Sequence, residues 1–276
     1  MIDFSQLNQD LNIYFLVSGG KDSTAMVLEA YNQGIQGTLL HASTGYTLRK
    51  AYRSLKKLQK FTGYDLIKVL PKTKEGKRIP SGKIIREAFL KIPAALKHLE
   101  DGIYRKNLFY CCRILKEKPL TDYIQNLKDS NCVLLLGIKG TDGSLHRRLR
   151  LGQLRNIGTF YRYQKSRKAL YYYPLRDTTK KEINKTLIKF GFKETHSSGC
   201  SLCPILCIFP ESSAKKDYDS WERSYKFAKD LGIPIPEERM CPDKQGIRLS
   251  QCQSLTSIFG DNIEFGDEKP LSEVFE

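Results

Sequence analysis

The sequence predicts an α/β fold, a mainly parallel twisted sheet flanked by helices, with a C-terminal cysteine-rich and helical extension. Three observations predict it. Short apolar runs alternate with helix-like stretches through the first half, as βαβ units do. The first run, Ile13 to Val17, breaks into Ser18, Gly19 and Gly20 and then into the helix-like TAMVLEAYNQG, so strand, tight turn and helix follow without a linker. Cysteines gather late in the chain around Cys200 and Cys203, beyond the last long amphipathic stretch of the alternating region.

Strands are expected near Ile13 to Val17, Gly37 to His41, Asp65 to Leu70 and Cys132 to Ile138, and helices near Ser23 to Asn32, Thr47 to Phe61 and Pro119 to Leu127. Residues Lys72 to Lys106, rich in lysine and arginine, interrupt the alternation and read as a helical insertion that borders the site. TTKKEINKTLIKFGF after Thr178 reads as a helix with a threonine cap, ending at Gly191. Ser198 to Pro210 is a cysteine-rich loop, Ser212 to Leu231 a further helix carrying Trp221, and the mostly acidic stretch from Asp261 a poorly ordered tail. The expected organisation is a nucleotide-binding domain over 1–196 with the insertion near 72–106, and a cysteine-rich loop, helix and tail over 197–276 packed on the same domain. Ligands of such a sheet sit at the carboxyl ends of its strands.

With 276 residues, 40% hydrophobic and 28% charged, the chain has the size and composition of a globular protein with an ample core. Its longest apolar runs, such as Val133 to Leu136, are too short to span a bilayer, and MIDFSQLNQD has no signal-peptide pattern, so no membrane association and a cytoplasmic location are expected. In that setting the eight cysteines read as reduced thiols, some of them metal ligands, in preference to disulfides.

The net charge of +16 favours a polyanionic partner. From Gly143 to Leu175 no acidic residue occurs, while Arg147, Arg148, Arg150, Arg155, Arg162, Lys165, Arg167 and Lys168 accumulate among Phe160, Tyr161, Tyr163 and Tyr171 to Tyr173. Two readings stay open. The tract supplies phosphate contacts and stacking faces to DNA or tRNA, or the tyrosines form a buried strand and the arginines a solvated loop or the site of a small anion.

The turn itself reads as an oxyanion cradle, because unpaired N–H groups and the positive end of a helix dipole face one point. It departs from the GxxxxGK(S/T) loop of P-loop NTPases, since Lys21 is followed by Asp22 and no glycine stands five positions before Gly20. The bland alternative is an ordinary strand-to-helix turn capped by Ser23 or Asp22.

Cys111 and Cys112 are adjacent, and Cys200 and Cys203 have CxxC spacing, so four thiolates in two pairs form a closed ligand set. Zinc accepts four sulfurs, but a vicinal pair suits a cubane, which offers a separate iron to each thiolate; an iron–sulfur cluster is the favoured reading and zinc the alternative. Cys207 is a spare thiol or alternative ligand, Cys132 a core residue, and Cys241 and Cys252 have no partner spacing.

SGGKDS (Ser18 to Ser23) resembles the loop of the PP-loop ATP pyrophosphatases, within the adenine nucleotide alpha hydrolase-like superfamily. Further segments follow in one order: LLHASTGYT (Leu39 to Thr47), CCRILKEKPL (Cys111 to Leu120), GIKGTDGSLHRR (Gly137 to Arg148), YPLRDTTKKEI (Tyr173 to Ile183) and GCSLCP (Gly199 to Pro204). Over roughly residues 12 to 206 the chain thereby resembles the phosphoadenosine phosphosulfate reductase family, in particular its cluster-bearing members that act on adenylyl sulfate and the DNA phosphorothioation component.

The resemblance implies that Ser18, Gly19, Gly20, Lys21, Asp22 and Ser23 hold the phosphates or sulfate-bearing end of an adenine nucleotide, with adenosine near Ser43, Thr44 and Gly45. It implies a 4Fe-4S cluster on Cys111, Cys112, Cys200 and Cys203, and a catalytic set of Lys21, Asp22, Lys116, Lys139 and Arg148 that offsets developing negative charge. The sequence also departs from the family pattern. Ser43 stands in place of aspartate, Lys139 of arginine, Gly143 of glutamate and Thr178 of tryptophan, and the tail DNIEFGDEKPLSEVFE lacks the cysteine of the reductases' ECGIH motif.

The leading expectation is an ATP pyrophosphatase, with Mg2+ on the phosphates, that activates a nucleic acid for sulfur transfer from a donor such as a cysteine desulfurase. The alternative is reduction of adenylyl sulfate or its 3′-phosphorylated form to sulfite with a thiol reductant. A third reading is a nucleotide- and cluster-binding sensor without chemistry.

Overall fold

The structure, a computed structural model, describes residues 2–73, 75–100, 110–127, 131–140, 145–164, 169–192, 199–208 and 218–235; for 99–100, 145–150 and 164 only the backbone is described. The acidic tail, Cys241, Cys252 and Gly143 lie outside these residues, as do Lys165, Arg167 and Lys168 of the basic tract. The chain divides into two compact units, residues 1–81 with 112–200 and residues 82–111 with 201–276.

The first unit is built on six strands: β1 (Asn12–Leu16), β2 (Thr38–Ala42), β3 (Leu66–Val69), β4 (Cys132–Leu136), β5 (Tyr161–Gln164) and β6 (Ala169–Tyr172). They lie in the order β3-β2-β1-β4-β6-β5, all neighbours parallel except the β5–β6 pair. Chain order reverses between β1 and β4, which opens a crevice at their carboxyl ends. Helices α1 (Lys21–Asn32) and α2 (Arg49–Thr62) follow the first two strands.

Side chains alternate across the sheet with period two. Ile13, Phe15, Val133, Leu135 and Tyr172 face one core, which also holds Val27 and Leu28 of α1 and Leu55 and Leu58 of α2. Leu134, Tyr171 and Tyr173 face a second core, which receives Tyr14 and Leu16. Both faces are therefore covered, as a parallel sheet requires. Each fully buried side chain such as Phe15 contributes about 1.5–3 kcal/mol.

Tyr171, Tyr172 and Tyr173 are 2% exposed or less, so burial, one of the two readings of the tyrosine run, holds, and these rings offer no stacking face to a base. The arginine-rich segment before them forms a helix, α7 (Leu145–Asn156), where the sequence suggested a loop; its Leu151 and Leu154 fill the second core. Arg155 and Arg176 converge on Asp177 at 2.6 and 2.5 Å, and Arg176, buried beneath the Phe160 ring, donates to the carbonyls of Leu154 and Thr159. These cations hold the strand-to-helix connection together.

Around the first cysteine pair a single helical run comprises α5 (Tyr110–Cys112), a π-helical turn (Arg113–Glu117) and α6 (Lys118–Gln125). After β6, α8 (Lys180–Lys189) starts with the threonine cap that the sequence announces. Thr179 accepts from the Glu182 N–H and Glu182 accepts from the Thr179 N–H, a reciprocal capping box. Thr179→Ala is expected to lower unfolding free energy by about 1 kcal/mol; denaturant titration with an unchanged midpoint would contradict this.

The second unit contains α3 (Ser81–Leu90) and α4 (Ile92–Glu100) from the basic insertion, and α9 (Pro204–Ile208) and α10 (Tyr218–Asp230) from the region after the second cysteine pair. Phe89 meets Phe227 edge to face at 4.9 Å, and Trp221 stacks on Tyr225 at 5.4 Å. Among the described residues, no helix is long and apolar enough to cross a membrane.

Candidate nucleotide site

The glycine turn leaves β1 with the Val17 N–H donating to Leu40 and enters α1 at Lys21. Gly20 is the N-cap, and no side chain caps the helix, so neither Ser23 nor Asp22 fills the role that the bland reading gave them. The Ser23 hydroxyl turns back, donating to the Gly20 carbonyl at 3.2 Å and accepting from the Ser18 N–H at 3.3 Å. With the Ser18 hydroxyl 3.2 Å from that of Ser23 and 3.4 Å from the Gly20 N–H, the turn is braced by its own hydroxyls. The first-turn N–H groups of an uncapped helix present positive potential to an anion.

Two glycines permit the close packing. Gly19 has φ +76°, and a Cβ there would stand 2.2 Å from the Ala51 carbonyl oxygen of α2. At Gly137, just past β4, a Cβ would stand 2.8 Å from the Ser23 nitrogen. The end of β4 thus abuts the first turn of α1, bringing Lys139 to Asp22 in a 2.5 Å ion pair with Lys139 largely buried.

Ser43, Thr44 and Gly45 follow β2, whose end neighbours that of β1. The Ser43 N–H donates to Val69, and the buried Thr44 hydroxyl accepts from the Tyr46 N–H. Thr47 bridges Cys200, the Leu48 N–H donates to Gly199, and Cys200 Sγ comes 3.7 Å from Thr44 Oγ1. One cysteine of the CxxC pair is thereby seated on the loop expected to meet adenosine.

The remaining sites are placed individually. Lys116 lies on the π-helical turn, partly buried, and Cys112, immediately before that turn, is partly exposed. Arg148 lies on α7, where only the backbone is described. In the second unit Cys111 is buried, and the Cys203 N–H donates to Ser224 Oγ, which in turn donates to Ser220. Ser224 is a support that no sequence signal marks. Cys207 is 1% exposed, and its pKa is pushed up to about 12 by burial and then by Cys203.

The donor chemistry of the two cysteine pairs suits a soft metal or a cluster. Among the described residues, no three His, Cys, Asp or Glu side chains gather as a site for a single metal ion.

His41 is the residue that sequence reading missed. It is buried in β2, and its Nδ1–H donates to the Val17 carbonyl, one residue before the glycine turn, at 2.9 Å. Its Nε2 has no hydrogen-bond partner among the described residues. Burial lowers its pKa, the Val17 hydrogen bond opposes this, and the charges of Lys116 and Lys68 add to the lowering. A polar residue within the apolar run of a central parallel strand was the available signal. Because the folded pKa lies below the unfolded value, stability is complete above about 6.5 and declines as pH falls through that value. The drop in Tm between pH 7.5 and 5.5 is expected to shrink in His41→Gln; an equal drop in both proteins would contradict it.

Residues 12–191, well over half of the chain, match the family described as the phosphoadenosine phosphosulfate reductase domain. The chain belongs to the phosphoadenosine phosphosulfate reductase family. The family match spans the glycine turn, the loop after β2 and the first cysteine pair. No individually curated protein matches it.

Solved structures show looser likenesses. The phosphoadenylyl-sulfate (PAPS) reductase from Candida auris in its phosphate complex has a TM-score of 0.43 at 13% identity, over 68% of this chain and 75% of that one. A "predicted subunit of tRNA methyltransferase" from Methanocaldococcus jannaschii has a TM-score of 0.39 at 14% identity, over 86% and 94%. The U34-tRNA thiolase NcsA from Methanococcus maripaludis, with its 4Fe-4S cluster, has a TM-score of 0.38 at 12% identity, over 94% and 83%.

Proposed function

We propose that this member of the family is an ATP pyrophosphatase that activates a nucleic-acid substrate for sulfur transfer. A substrate oxygen attacks the α-phosphorus of ATP, the bond to the β-phosphate oxygen breaks, and pyrophosphate leaves. A sulfur nucleophile from a donor protein then displaces AMP. Positioning and charge neutralisation supply most of the acceleration in such a step. The N–H groups of the turn and first helical turn, with Lys21, hold the phosphates; Lys139 exchanges its Asp22 partner for phosphate oxygens, and Asp22 would hold Mg2+, which would supply charge neutralisation there. Lys116 and Arg148 add positive charge.

The observation that carries this reading over sulfate reduction is the burial of the spare thiols among the described residues. Cys207 is 1% exposed and Cys132 is buried in β4, so neither described spare thiol is placed to attack a sulfate sulfur. The reductase reading draws its support from the family's own description. Anaerobic turnover with ATP and adenylyl sulfate in parallel separates them. Pyrophosphate that rises when DNA or tRNA is added is the expected result, and sulfite from adenylyl sulfate would replace it with the reductase reading.

Cys111, Cys112, Cys200 and Cys203 would hold a 4Fe-4S cluster, which would supply a sulfur-binding iron centre. Anaerobically purified protein is expected to absorb broadly near ~400 nm, and Cys112→Ala and Cys200→Ala to lose that absorbance. A colourless, zinc-loaded protein would contradict the assignment.

A further inference from the structure

We infer that the outer face of α2 is a docking track for a single nucleic-acid strand. The inference rests on the proposed function only for the claim that the docked strand is the substrate.

The track is set by helical spacing. Ala51, Leu55, Leu58 and Thr62 are the buried side of α2. Arg49, Tyr52, Arg53, Lys56 and Lys60, at i, i+3, i+4, i+7 and i+11, form one exposed stripe. The helix also carries Lys50 and Lys57 and contains no acidic residue. Like charges four apart, Arg49 with Arg53 and Lys56 with Lys60, repel one another, and among the described residues none of these four has a carboxylate partner. A phosphodiester backbone removes that repulsion and releases its own counterions.

An aromatic ring within the stripe favours nucleic acid over other polyanions. Tyr52 is 37% exposed, its hydroxyl accepts from Lys68 Nζ at 2.6 Å, and that ammonium lies 4.9 Å from the ring centroid. Cations flanking a fixed, exposed ring are the elements of single-strand binding, in which backbone charge is met electrostatically and a base stacks. The tyrosine run Tyr171 to Tyr173 is in the core and cannot supply this pairing. The opposite, buried side of α2 packs against Gly19 through Ala51, so the stripe lies on the helix that braces the glycine turn.

The test measures binding without ATP, by fluorescence anisotropy of the full chain with labelled single-stranded RNA, and with DNA of the same sequence as a second probe. Arg49→Ser/Arg53→Ser/Lys56→Ser is expected to weaken binding at least about tenfold and to reduce the slope of log K against log salt by about 2. Tyr52→Leu is expected to weaken it at least about fivefold. A matched variant on α8, Lys180→Ser/Lys181→Ser/Lys185→Ser, removes equal charge elsewhere and is expected to bind as the native protein does. Equal loss in the two triple variants, no loss in the α2 variant, a silent Tyr52→Leu, or polyglutamate competing as well as RNA would each overturn the inference. If the proposed function alone is wrong, RNA binding persists while ATP yields no pyrophosphate.

Discussion

Gly19→Ala is expected to lower stability by at least about 3 kcal/mol, or about 6–12 °C in Tm, and to abolish nucleotide binding. Two costs combine. The residue sits at φ +76°, where a side chain is strained, and its Cβ would stand 2.2 Å from the Ala51 carbonyl oxygen and 2.8 Å from the carbonyl carbon. Both are helix backbone, so relief requires α2 to move as a body or the turn to open. Gly63 is the internal control: its φ is +74° but nothing lies within 4 Å of a Cβ, so Gly63→Ala should show the conformational cost alone, about 1 kcal/mol. Equal melting temperatures for the two variants would show that the packing of α2 against the turn is not what fixes its shape.

The second large effect is expected at Lys139. Its ammonium pairs with Asp22, and on the proposed function it exchanges that partner for the phosphates of ATP. Lys139→Ala therefore removes a cation from a largely buried position beside the reacting phosphate, and kcat/KM is expected to fall about 100-fold or more. Lys139→Arg restores the charge, so most of the activity should return. Loss of activity in both variants would point to the fold of the turn rather than to charge. An alanine variant within about threefold of the native kcat/KM would remove Lys139 from the reaction.

The fold was legible where burial and local chemistry agree. β1 to β4, four of the five parallel strands, were visible because two-sided burial makes a strand nearly all apolar, as in VLLL before Gly137. The α8 start was visible because a capping box is a local code. α7 was not, since HRRLRLGQLRN has a glycine inside and few apolar positions, and its core contacts come from Leu151 and Leu154. Nor was the π-helical turn after Cys112, whose extra residue per turn leaves no periodic trace at that length. At the site, the motif named the turn, and the Asp22–Lys139 pair brings together two of its expected residues, 117 positions apart. His41 stayed hidden because its role depends on the carbonyl of a neighbouring strand.

The central claim is that the turn from Ser18 to Ser23 seats the anionic end of an adenine nucleotide. Titrating ATP into isotopically labelled protein while following backbone amide resonances tests it directly. The expected result is that the largest shifts fall on Gly19, Gly20, Lys21, Asp22 and Ser23, with smaller ones at Thr44 and Gly45. Saturable binding that leaves those amides in place and shifts another surface would contradict it.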